Sequence, residues 1–167
     1  NNYKINGTKM KDISLGLGNI AENGCGVIAA YNVLISKSSK IKFDRVRKDI
    51  IGGGLNALGL LGVNPFALAM YMRSKFLYVV SHGPSTLLWR ATASSCCAII
   101  ILVKWKNSLV MHYIAGIRVN KKGTYFKFYN SGNKSLGTGA MTLKTFINKM
   151  SSKCSFLYFI FNSSIFG

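Results

Sequence analysis

The chain has 167 residues, of which 22 are Lys or Arg and only 4 are Asp or Glu, so its formal charge is +18 while 49% of it is hydrophobic. A chain of this length and apolar content can bury about 70% of its unfolded surface, which argues against disorder and for one monomeric domain over 1–167, with 1–18 as a candidate N-terminal extension. The scarcity of acids excludes more: Asp12, Glu22, Asp44 and Asp49 are too few for a two-metal nuclease or a paired-carboxylate glycosidase. No metal or cofactor is expected, and His82 and His112 are left as candidates for a base working near neutral pH.

In chain order, Asn1 to Asp12 is polar and has no apolar signal-peptide core. Gly24-Cys25-Gly26 precedes Val27 to Ile35, which is apolar almost all round and expected as a buried helix. Phe43 to Ile51 is expected as an amphipathic helix with its basic residues outward. The uncharged stretch Ile50 to Met72 is long enough to consider as a membrane span. Its glycines, Asn56 and Asn64-Pro65 instead break it into a loop, a short helical turn and a new helix start, so a membrane role stays a minor alternative. Asn64 caps that new helix, Pro65 occupies its first position, and it should run to about Ser74.

The second half changes to alternation. Ala98 to Trp105 reads as a strand, Lys106-Asn107-Ser108 as a turn, and Leu109 to Ile117 as the hairpin partner. Lys121-Lys122-Gly123 makes another turn, Tyr125 to Tyr129 the next strand, Thr142 to Met150 a short capped helix, and Phe156 to Phe161 a closing strand. Helices first and an antiparallel sheet afterwards define an α+β protein. Cys96, Cys97 and Cys154 lie beside apolar strands and are expected as buried free thiols, with a disulfide as the alternative.

Three residues form a chemical pattern. Cys25 sits at a helix start, where the positive end of the helix favours a thiolate, and neighbours such as Gly26 let backbone N–H groups face a substrate oxygen. His112 is a single imidazole on an apolar strand face with Val110 and Ile114. Asn130 ends the next strand, where its side-chain amide can accept from one imidazole nitrogen and fix the tautomer. Each also has a plain structural reading, as a helix-start Cys, a core His and a turn Asn. His82, in Ser81-His82-Gly83-Pro84, reads as a loop residue and a secondary site candidate.

The segments ENGCGVIAAYNVL, MHYIAGI and FKFYNSG resemble the Cys helix, the His strand and the third-residue segment of papain-like peptidases, in the compact form attached to bacteriocin exporters. The resemblance implies a papain-like α+β fold, with a buried Cys-bearing helix packed on a C-terminal antiparallel sheet, and a Cys25, His112 and Asn130 pocket. It also places Asn19 where those peptidases have a Gln that helps hold the oxyanion, and Asn130-Ser131 where most have Asp-Pro.

The charge of +18 exceeds what solubility asks for and implies an anionic partner. Candidate RNA contacts are Lys104, Lys106, Arg118, Lys121, Lys122 and Lys127, with Trp105, Tyr125 and Tyr129 available for stacking where exposed. RNA fits a broad basic surface better than a groove-read duplex. A small, very basic papain-like domain also resembles the C-terminal toxin domains of bacterial polymorphic and contact-dependent inhibition toxins, and Asn1-Asn2 matches the end of their boundary motif. That resemblance implies a ribonuclease acting on tRNA, an acidic immunity protein, a larger secreted or cell-surface carrier, and action in the target-cell cytoplasm. The competing expectation is a thiol peptidase or glutamine deamidase with Cys25 as nucleophile and His112 as base.

Overall fold

Apolar residues recurring at helical spacing dominate the first half of the chain and alternating ones the second, and the computed structural model follows that division. It describes residues 4–53, 55, 57–59, 61–76, 78–82, 96–107, 109, 111–120, 124–131 and 139–163. The chain falls into two compact units, Asn1–Lys75 and Phe76–Gly167.

The first unit begins with two short hairpins, β1 (Lys4–Ile5) with β2 (Thr8–Lys9), and β3 (Ser14–Leu15) with β4 (Gly18–Asn19), separated by a 3-10 turn over Met10–Asp12. Helices α1 (Ile20–Asn23), α2 (Cys25–Lys37), α3 (Phe43–Ile51) and α4 (Pro65–Arg73) follow. Helix α3 has Phe43, Val46 and Ile50 buried at a spacing of three and four, which makes one apolar stripe. Phe43 meets Tyr31 of α2 edge-on, with ring centroids 5.4 Å apart. The basic residues of α3 do not all point outward: Arg47 is half-buried and its guanidinium donates to the Ser14 carbonyl at 2.8 Å.

Helix α4 starts as expected, with the Asn64 side chain accepting from the Phe66 and Ala67 amides. Between α3 and α4 lies a 3-10 turn over Ala57–Gly59, and no helix among the described residues is long and apolar enough to cross a membrane. That turn is docked on the second hairpin. The Leu17 amide donates to the Leu58 carbonyl at 2.8 Å, and a Cβ on Gly16 would lie 1.9 Å from that same oxygen. A Cβ on Gly59 would lie 2.1 Å from the Leu15 carbonyl oxygen, and both glycines have positive φ, so the contact excludes side chains on either partner.

The second unit is an antiparallel sheet of β5 (Tyr78–His82), β6 (Ala98–Trp105), β7 (Met111–Arg118), β8 (Tyr125–Tyr129), β9 (Met141–Thr142) and β10 (Cys154–Ser163), in the order β5-β10-β6-β7-β8-β9. Its helix α5 (Leu143–Ser151) is capped by Thr142, whose side chain accepts from the Thr145 amide. One sheet face presents Ile99, Ile101, Val103, Ile114, Phe126, Phe159 and Phe161 to Leu143, Phe146 and Met150 of α5. Phe128 stacks on Phe146 at 4.2 Å. That ring crosses β7 at Gly116, where a Cβ would come within 2.8 Å of it, so the missing side chain leaves room for the stack.

The α+β class, the bounds of α3, β6 and β8, and the cap of α4 match the sequence reading. Strand β5 was not expected: His82 is its last residue, paired with Phe159 of β10, and not a loop residue. A five-residue strand whose partner lies far along the chain leaves little local signal. The expected turn at Lys121-Lys122-Gly123 lies outside the described residues.

Candidate functional site

Each unit carries one part of the pattern. In the first, α1 and α2 meet at Gly24, which is the C-cap of one and the N-cap of the other. A Cβ there would lie 2.6 Å from the Ile20 carbonyl oxygen, so the glycine permits the abrupt junction. Cys25 is therefore the first residue of the 13-residue helix α2; it is half-buried, and Gly26 behind it is buried. Asn19 caps the preceding helix: its Oδ1 accepts from the Glu22 amide at 3.1 Å and its Nδ2 donates to the Glu22 carboxylate at 3.0 Å. Its amide group is thus engaged in starting α1.

In the second unit His112 lies near the start of β7, opposite Val103 of β6, and on the face that Ile114 shares with α5. Its Nε2 donates to the main-chain carbonyl of Asn130. A carbonyl can only accept, so the neutral ring carries its proton on Nε2 and leaves the Nδ1 lone pair available. The sequence reading had the Asn130 side chain accept from the imidazole. The side chain instead donates from Nδ2 to the Tyr113 carbonyl at 3.1 Å, and the backbone oxygen takes the ring. The reason is local: Asn130 has φ of 59°, a left-handed conformation that Asn tolerates and that ends β8. One residue thereby clips two consecutive positions of β7.

Burial pushes the His112 pKa below its ordinary value, and the bond to Asn130 only partly opposes this. The imidazole is therefore neutral near pH 7, the state in which it can accept a proton. His82 ends a different strand. Its row in the sheet runs His82, Phe159, Ile101, Ile114, so its backbone lies three strand spacings from β7, about 14 Å at 4.8 Å per strand.

The cationic candidates divide. Lys106 and Lys127 are exposed and Lys104 is half-buried. Arg118 is half-buried at the end of β7; its guanidinium lies 5.6 Å from the Phe126 ring centroid and also bonds the Cys96 thiol, so it is turned inward. Lys121 and Lys122 lie outside the described residues. Tyr125 and Tyr129 are exposed, whereas Trp105 is partly buried against the α5 cluster. Lys153 was missed in the sequence: its carbonyl accepts from the Lys106 amide at 2.8 Å, which joins two lysines far apart in the chain.

All four cysteines are unbridged. Burial pushes the Cys96 thiol up to about 12 against the opposing pull of Arg118, and burial raises Cys154 as well, so neither suits a nucleophile. Among the described residues no group of three or more His, Cys, Asp or Glu is placed to hold a metal ion.

The acids are unevenly placed. Asp12, Glu22, Asp44 and Asp49 all lie in the first unit, whereas the 22 cations split evenly, so residues 76–167 hold half of the Lys and Arg and no side-chain carboxylate. The imidazole therefore belongs to the unit without acids.

No protein-family model and no curated protein matches the chain. A solved structure similar to it is the peptidase domain of Streptococcus ComA, described as a bi-functional ABC transporter involved in a quorum-sensing pathway. The identity is 12% and the TM-score 0.48, over 84% of this chain and 91% of that chain.

Proposed function

We propose that the chain is a hydrolase that cuts RNA by acid–base chemistry, with His112 as general base and tRNA as the expected substrate. The observation that carries this reading is the neutral imidazole held through Nε2 by the Asn130 carbonyl, in a unit with no carboxylate. Nδ1 takes the proton of a ribose 2′-OH, the freed oxygen attacks the adjacent phosphorus, and the bond to the 5′-oxygen breaks. That leaves a cyclic phosphate once the departing oxygen is protonated. Lysine ammonium groups offset the negative charge that the pentacoordinate phosphate develops and supply the leaving-group proton. A neutral partner for His112 suits this order of events, because the ring must be unprotonated when substrate arrives.

With this reading go delivery by a larger carrier and neutralisation by an acidic immunity protein, whose natural target is the acid-free unit. The second reading is a thiol peptidase or glutamine deamidase in which Cys25 attacks a carbonyl carbon. The observation that favours it is the half-buried sulfur at the first position of α2, behind a glycine junction. The deciding experiment expresses wild type, Cys25→Ser and His112→Ala in bacteria and runs total RNA on a denaturing gel. Discrete tRNA fragments that vanish with His112→Ala but persist with Cys25→Ser support RNA cleavage. Intact RNA with Cys25-dependent growth arrest overturns it in favour of the thiol reading.

A further inference from the structure

Strand β8 has two unlike faces. Phe126 and Phe128 turn to α5, whereas Tyr125, Lys127 and Tyr129 alternate onto the opposite face and are exposed, the tyrosines by 47% and 39%. The two exposed rings and the ammonium between them form one row on that face. The two rings are four residues apart, about 13 Å at 3.3 Å per residue, so they address different groups of any ligand laid along the strand. Lys127 stands between them with its Nζ 5.6 Å from the Tyr129 ring centroid. The unit has no carboxylate to neutralise that ammonium. The residue after Tyr129 is Asn130, whose carbonyl holds His112 on the other, α5-facing side of the sheet.

We infer that Tyr125, Lys127 and Tyr129 form a stacking platform for unpaired bases of an RNA strand, with Lys127 on the intervening phosphate. Base stacking on tyrosine tolerates any sequence and requires an unstacked base, so the platform selects loops and single strands over duplex. The inference rests on the RNA-cleaving reading for its substrate and adds which part of an RNA this protein engages. Charge excludes an apolar surface, and stacking favours RNA over an acidic protein, because two aromatic faces spaced along a strand fit separated unpaired bases and a carboxylate chain offers nothing to stack.

The test uses the full chain carrying His112→Ala, so that RNA stays intact, and measures binding of a short labelled single-stranded RNA and of a duplex RNA of equal length. Tyr125→Ala and Tyr129→Ala should each weaken the single-strand complex roughly tenfold and leave the duplex nearly unchanged. Tyr125→Phe and Tyr129→Phe should retain the affinity, since the ring does the stacking, and they separate a lost contact from a lost fold. Lys127→Ala should reduce the slope of log affinity against log salt by about one phosphate contact. Unchanged binding by both alanine variants overturns the platform, as does equal weakening of duplex and single strand or competition by poly-glutamate as effective as by RNA. Cleavage is read separately with His112 intact: binding lost with the alanines in a protein that never cuts RNA refutes the ribonuclease and keeps the platform. Cutting and binding untouched by the alanines do the reverse.

Discussion

The two units of the chain treat charge in opposite ways. In Asn1–Lys75 the acids hold neighbouring groups: Asp49 takes Arg45 at 3.0 Å and Lys75 at 3.7 Å, Asp44 takes Arg47 at 3.5 Å, and Glu22 takes the Asn19 amide. Asp12, Asp44 and Arg47 also line a cavity of about 320 Å³ beside the first hairpins. Charge there serves helix starts and local links. In Phe76–Gly167 an equal number of cations has no side-chain carboxylate within the unit to pair with, and among the described residues Lys127 lies over the Tyr129 ring and Arg118 over the Phe126 ring. Like charges without counterions repel one another and weaken the folded state. His112, the neutral carbonyl that orients it and the exposed tyrosines all belong to this second unit.

The comparison can be broken by moving the chemistry. His112→Ala should lower RNA cleavage by at least about 100-fold, whereas Cys25→Ser should leave it within a few-fold, as measured on purified tRNA. The reverse ranking would assign the chemistry to the first unit. Packing gives the next effect. Phe146→Ala removes the ring under Phe128 and should destabilise by about 3–5 kcal/mol in urea unfolding. Its counterpart in the first unit, Gly16→Ala, should cost about 2 kcal/mol or more through the clash with Leu58.

The pH dependence is a sharper test of the base. Because burial holds the folded imidazole below 6.5, cleavage should stay level as pH falls through 6.5 and decline only beneath it. Stability should move in the same direction. The unfolded chain binds a proton near 6.5 while the folded one does not, so the His112 contribution to stability is lost as pH falls from about 6.5 and levels off below the folded value. His112→Gln should remove that part of the slope in pH-dependent urea unfolding. The smallest effect belongs to the ion pairs. Asp49→Asn should change stability by under about 1 kcal/mol. Tyr71, raised to about 12 by burial first and Asp49 second, should then ionise at lower pH by ultraviolet titration while staying above 10.

Much of the fold was legible because its signals are local. An apolar run after Gly24-Cys25-Gly26 marked α2, an amphipathic pattern marked α3, Asn64-Pro65 marked α4, and the nearly continuous apolar run Ala98 to Trp105 marked β6. Cys25 at a helix start and His112 on a strand were legible for the same reason. The short hairpins and β5 were not, since two to five residues carry no period and β5 is held by β10 from the far end of the chain. The inward turn of Arg118 toward Cys96 and the meeting of Lys106 with Lys153 were equally invisible, because each depends on strands brought side by side.

Residue types and their spacing by themselves determined the α+β class, the helix starts, the excess of cations and the short list of groups able to carry a proton. Tertiary structure decided how those groups are held. That the Asn130 backbone carbonyl, and not its amide, fixes the His112 tautomer follows from a left-handed turn placed beside β7. That Tyr125 and Tyr129 face water while Phe126 and Phe128 face α5 follows from which side of the sheet the helix covers. Alternation assigns side chains to two faces, and only packing says which face is buried.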